Sequence, residues 1–156
     1  MHHLLLMTIR PMIRALSLVL ALSALFAAPA AAQMAYGVRA GVSAEPDQFY
    51  FGGHAETGPL VEHLHFRPNV EIGVGNDVTL VGINFELAYK FPTRKAWQPY
   101  ALGGPALNIV HENGNSEAQG GFNFGLGLEH RGGLFGEVKV GVIDSASFKF
   151  GIGYRF

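Results

Sequence analysis

Apolar residues recur at every second position from Gln33 to the C-terminus, the period of strands whose two faces meet different surroundings. In the last segment Phe148, Phe150, Ile152, Tyr154 and Phe156 alternate with Ser147, Lys149, Gly151, Gly153 and Arg155. Upstream, Leu134, Val138, Val140 and Val142 oppose Glu137, Lys139 and Gly141, while Phe122, Phe124, Leu126 and Leu128 oppose Asn123, Gly125, Gly127 and Glu129. Thr79, Val81, Ile83, Phe85, Leu87, Tyr89 and Phe91 oppose Gly82, Asn84, Glu86, Ala88 and Lys90. The earlier segments keep the rule. Val38, Ala40 and Val42 lie against Arg39, Gly41 and Ser43; Phe49, Phe51 and Ala55 against Tyr50, Gly52, His54 and Glu56; Leu64, Phe66, Val70, Ile72 and Val74 against His63, His65, Arg67, Asn69 and Glu71.

Trp97 to Val110 is the weakest segment, because Pro99 and Pro105 each remove a ladder donor and predict a local irregularity. With it the count is eight strands. Most connections are short and carry turn chemistry: Glu45-Pro46-Asp47, Gly58-Pro59, Asn76-Asp77, Pro92 to Lys95, Arg131-Gly132-Gly133 and Asp144-Ser145. His111 to Gly120 reads as a longer loop. Strands joined in this way form an antiparallel meander, and closing it into a barrel removes both edges.

Alternation alone fits a soluble barrel with an apolar interior or a membrane barrel with an apolar exterior. Composition decides between them. The polar face is rich in glycine, in a chain with 21 of them and only 15% charged residues. Its charges nearly balance: Arg39, Arg67, Lys90, Lys139, Lys149 and Arg155 against Glu56, Glu71, Glu86, Glu129 and Glu137. Glycines and matched charges suit the narrow interior of an eight-stranded barrel, which side chains just fill. Large Phe, Leu, Val and Tyr on the other face suit lipid, and Tyr89, Phe91, Tyr154 and Phe156 at strand ends suit an aromatic girdle. The expected fold is an all-β, eight-stranded antiparallel up-and-down transmembrane β-barrel over residues 33–156.

Residues 1–32 read as a secretory signal: Arg10 and Arg14, an apolar run from Ala15 to Phe26, and Ala30 and Ala32 as the small pair before a cut at Gln33. An apolar run of roughly 12–14 residues is too short to span a bilayer as a helix. The absence of cysteine excludes disulfides, thiolate metal sites and a lipidated cysteine. A net charge of −1 without a basic face argues against nucleic acid.

The final octapeptide, Lys149 to Phe156, resembles the terminal β-signal of bacterial outer-membrane proteins, with Lys149, Gly151, Tyr154 and Phe156 in the motif's positions. From residue 33 onward the chain is similar to the small eight-stranded barrels of the OmpA/OmpX type. That resemblance implies residence in outer-membrane lipid, passage by periplasmic chaperones and recognition by the barrel-assembly machinery. It also implies periplasmic termini. His111 to Gly120 then faces outside, and the turns at Gly58-Pro59, Pro92 to Lys95 and Arg131 to Gly133 face the periplasm. The short outer loops argue against a loop-borne binding function.

Three chemistries remain to be weighed. His54, His63 and His65 could supply metal ligands, since residues two apart on a strand share a face, although hydrogen bonding near a strand end explains them as well. A lipid hydrolase needs a nucleophile beside a histidine, and none of Ser43, Ser116, Ser145 or Ser147 stands at a short sequence spacing from one. A pore needs an open lumen, whereas matched charges predict a plugged one. The expectation is a structural barrel without catalytic residues, metal or cofactor, serving envelope integrity or a surface interaction with an unnamed partner. The alternative is a narrow pore or a small-ligand barrel, lipocalin-like if it is soluble.

Overall fold

A computed structural model describes residues 34–76 and 78–156. The expected signal segment therefore lies outside the described residues. The strands are β1 (Ala35–Ala44), β2 (Gln48–Glu56), β3 (Pro59–Val61), β4 (Leu64–Gly75), β5 (Val78–Lys90), β6 (Trp97–Glu112), β7 (Asn115–His130), β8 (Leu134–Val142) and β9 (Phe148–Arg155). Every pairing is antiparallel. β1 pairs with both β2 and β9, β2 pairs with β4, and β4 to β9 pair in chain order. Eight strands thus close a barrel. The three-residue β3 pairs only with β4, beyond the end of β2.

The barrel is inverted relative to a soluble protein. Arg67 and Glu86 are 0% exposed, while Phe124 is 52% and Leu126 66% exposed. The strands send glycine, amide and charged residues inward and most Phe, Leu, Val and Ile outward, with Leu80, Leu102 and Phe135 as inward exceptions. Tyr36, Tyr89, Phe91, Trp97, Tyr154 and Phe156 stand exposed around the mouth that carries the termini, forming the aromatic girdle.

Three local features differ from the sequence reading. The expected turn at Gly58-Pro59 is instead the start of β3, and the chain reverses at Glu62-His63, which takes His63 out of the strand. His111 to Gly120 is not a loop. β6 and β7 run on to Glu112 and Asn115 and are joined by Asn113-Gly114 alone, with φ of 50° and 80°. Positive φ at both central residues is what a two-residue hairpin turn requires and what Asn-Gly supplies most readily. The register set by that turn continues to Trp97 opposite His130.

β6 is irregular in hydrogen bonding only. A two-residue hairpin is closed by a hydrogen-bonded pair, Glu112 with Asn115, and bonded and non-bonded pairs alternate from there. Pro105 and Pro99, opposite Phe122 and Leu128, fall in non-bonded pairs, so each points its missing donor toward β5. The β5–β6 ladder skips Phe85 and Glu86, opposite Pro105 and Gly104 respectively, then resumes in the same register at Leu87 opposite Gly103. No face is swapped. Tyr100, Leu102, Ala106 and Asn108 point inward.

Candidate functional site in the lumen

All eleven charged residues of the inferred polar face lie inside the barrel, because each occupies an inward step of its strand. Nearest the termini, Lys90 Nζ lies 2.5 Å from Glu56 and 3.3 Å from Glu129, and the Arg155 guanidinium closes on Glu129 through Nε at 2.8 Å and through Nη2. The Arg155 side chain is 28% exposed and marks the mouth.

Glu137 organises the centre. Arg39 donates to it at 2.6 Å and the Tyr100 hydroxyl at 2.8 Å; Lys139 stands 3.3 Å and Arg67 3.5 Å away. Above it, Glu71 meets Lys149 at 2.7 Å, Arg39 at 3.3 Å and Lys139 at 3.6 Å, while Lys139 donates to Glu86 at 2.7 Å. Five carboxylates thus face five enclosed cations, with Arg155 at the rim. Unpaired charges in such a space would be strongly destabilising, so the near-balance is a condition of filling it with charge.

Amides extend the network toward the far mouth. Asn123 donates to Asn84 at 2.8 Å, Asn84 to Asn69 at 2.7 Å and Asn69 to Glu86 at 2.8 Å. The β8–β9 connection then folds inward: Ala146 is buried, and Asn108 donates to the Asp144 carbonyl at 2.7 Å and to Ser145 Oγ at 3.3 Å. The cavity left beneath, between Gln48, Tyr50, Asn108, Asn123 and Lys149, measures about 10 Å³, space for one water at most. Paired charges, amides and rings thus occupy the described interior of the barrel.

Reading the sequence missed four rings as a set. Tyr50, His54, Tyr100 and Phe135 point inward, and each stands directly across from an inward glycine: Gly41, Gly37, Gly127 and Gly153. A Cβ at any of these glycines would collide with the opposing ring. Among the described residues no hydrogen-bond partner meets the Arg67 guanidinium, which lies 4.7 Å from the Phe135 ring centroid and 5.1 Å from that of Tyr100, and Lys149 sits 5.1 Å over Tyr50. Cation–π attraction of this kind complements the ion pairs. The signal available in the sequence was glycine facing an aromatic residue across a hairpin.

The histidines scatter. His54 is buried in the lumen against Phe135, His63 occupies a turn with φ 66° beside Glu62, and His65 Nδ1 is 2.9 Å from the Thr57 carbonyl. His63 and His65 therefore do not share a strand face, and among the described residues no cluster of three His, Asp or Glu could hold a metal. One serine does meet a histidine, contrary to the spacing argument. His111 Nδ1 lies 2.8 Å from Ser116 Oγ, because the tight hairpin makes them cross-strand partners. Both are exposed, and no carboxylate hydrogen-bonds the ring among the described residues. The terminal-motif residues divide between the faces: Lys149 and Gly151 inward, Tyr154 and Phe156 outward.

Two solved structures share this architecture. Neisserial surface protein A superposes with a TM-score of 0.61 at 16% identity, over 78% of this chain and 93% of that one. The N-terminal β-barrel domain of Pseudomonas aeruginosa OprF gives 0.57 at 15% identity, over 78% of this chain and 97% of that one. No protein-family model and no curated protein sequence matches the chain. The likeness establishes the fold, a small eight-stranded barrel of the outer-membrane type.

Proposed function

We propose that the chain is a structural protein of the bacterial outer membrane, non-catalytic and non-conducting, whose sealed barrel contributes to envelope integrity or to a surface interaction. One observation carries this reading: the wall is apolar outward, while the lumen is filled by paired charges and capped by the β8–β9 connection. In lipid every backbone polar group must be satisfied internally, and a closed antiparallel barrel meets that demand. In this reading the termini lie in the periplasm. Lys149, Gly151, Tyr154 and Phe156 form the signal met by the barrel-assembly machinery after chaperone transit.

The test is expression of the precursor in a Gram-negative host, followed by outer-membrane isolation and comparison of boiled and unboiled gel mobility. A membrane-bound band that shifts on boiling, and that gives no unit conductance in planar bilayers, is expected. A soluble, unshifted periplasmic band would overturn the membrane assignment. Regular single-channel steps would replace the structural reading with a narrow pore.

A further inference from the structure

On the lipid-facing wall near the termini, Gly136 of β8 points outward between Leu128 of β7 and Ile152 of β9, its partners in register. A Cβ there would come no nearer than 3.9 Å to another heavy atom, the Gly151 carbonyl. Gly136 lies in the floor of an open groove of about 740 Å³, walled by Trp97, Pro99, Leu128, Leu134, Val138 and Ile152.

Directly below the groove, two turns are tied together. The Arg131 backbone N–H donates to the Ala96 carbonyl at 2.9 Å, and Arg131 Nη2 donates to the Arg94 carbonyl at 2.7 Å. This gathers Arg94, Lys95 and Arg131, all exposed, on one stretch of rim. Neither turn contains a carboxylate, and the neighbouring Glu129 points inward to Lys90 and Arg155. Among the described residues these three are the only Lys or Arg side chains outside the lumen; the turns at the opposite mouth contain Glu and Asp and no Lys or Arg. Trp97 stands at the junction of groove and turns, its ring 4.9 Å from His130, where an amphipathic ring marks the boundary of hydrocarbon.

We propose that the groove over Gly136, with Arg94, Lys95 and Arg131, is a site for one anionic glycerophospholipid of the leaflet at this end of the barrel. Its phosphodiester meets the cations and an acyl chain fills the groove. The occupant is anionic rather than zwitterionic because an ammonium headgroup would face three positive charges with no carboxylate to receive it. The proposal rests on the membrane reading above.

The test uses the folded chain in phosphatidylcholine vesicles, with insertion read first from the shift on boiling. Phosphatidylglycerol is then added at equal molarity, and the lipid retained through detergent extraction is counted by native mass spectrometry. Phosphatidylglycerol is expected to be retained about fivefold or more over phosphatidylcholine. Arg94→Gln with Lys95→Gln, which leaves the backbone ties of Arg131 intact, should bring the ratio close to one. Gly136→Leu should lower retention of both lipids without abolishing the heat shift. Failure to insert would sink the membrane reading itself. Insertion with equal retention of the two lipids would overturn the site alone, and full displacement by glycerol 3-phosphate would overturn the part played by the groove.

Discussion

The Tyr100 hydroxyl donates to Glu137 at 2.8 Å along the inner wall, from a ring that lies over Gly127 and against the Arg67 guanidinium. One side chain therefore joins β6 to β8 past the intervening strand. Tyr100→Phe keeps the ring and removes only the donor, leaving Glu137 to Arg39 and Lys139. A hydrogen bond to a buried charge contributes about 1.5–3 kcal/mol. The urea midpoint of the heat-shifting band should fall accordingly. Tyr100→Leu, which also loses the face presented to Arg67, should fall further.

Glu71 gathers Lys149, Arg39 and Lys139. Glu71→Gln strands these cations in a closed space and should cost about 3–5 kcal/mol, the scale of breaking a buried pair from one side. Glu71→Gln with Lys149→Met removes the excess charge and should recover part of the loss. Glu62→Gln, at an exposed pair with His63, should change stability by about 0–1 kcal/mol. Equal effects of Glu71→Gln and Glu62→Gln on the urea midpoint would show that the lumen is hydrated rather than packed.

The barrel was legible because membrane strands obey one rule along their whole length, so each inward charge could be read from its parity. Register was harder to read. The parity of Tyr100 and Phe135 marks them as inward, but a Phe on the polar step looks like an error until Gly153 is found opposite it. The mutual positions of Arg39, Glu71 and Glu137 come from three strands far apart in sequence, which no local pattern encodes. The Asn113-Gly114 turn carried its hairpin signal openly, but the polar residues on either side resembled a loop because this part of the ribbon has no apolar face to display.

Gly153 and Gly120 separate the two uses of glycine on these strands. A Cβ at Gly153 meets the Phe135 ring and the Val38 carbonyl, whereas at Gly120 nothing lies within 4 Å. Gly153→Val should therefore cost at least the roughly 1–3 kcal/mol typical of overpacking, since one of the obstacles is backbone. Gly120→Val should be neutral. The readout is the fraction of refolded protein that migrates as the heat-shifted form, and a full yield for Gly153→Val would show that Phe135 does not occupy its place against β9.

The β6–β7 ribbon outruns its neighbour on one side. β7 begins at Asn115, but its pairing with β8 begins only at Phe122 opposite Val142. Counting from the bonded pair Glu112 and Asn115, the residues Glu117, Gln119 and Gly121 direct their backbone groups to β6, while Ser116, Ala118 and Gly120 direct theirs to the vacant side. Among the described residues no strand covers that edge, and the β8–β9 connection turns into the lumen instead. Amide exchange should consequently alternate along a single strand, fast at Ser116, Ala118 and Gly120 and slow at Glu117 and Gln119. Proton-exchange NMR of the barrel in micelles resolves these amides one by one. Uniform protection would mean that the edge is paired in the membrane, by another molecule or by a rearranged loop. Uniformly fast exchange would mean that the Asn-Gly turn does not hold the ribbon together above the rim.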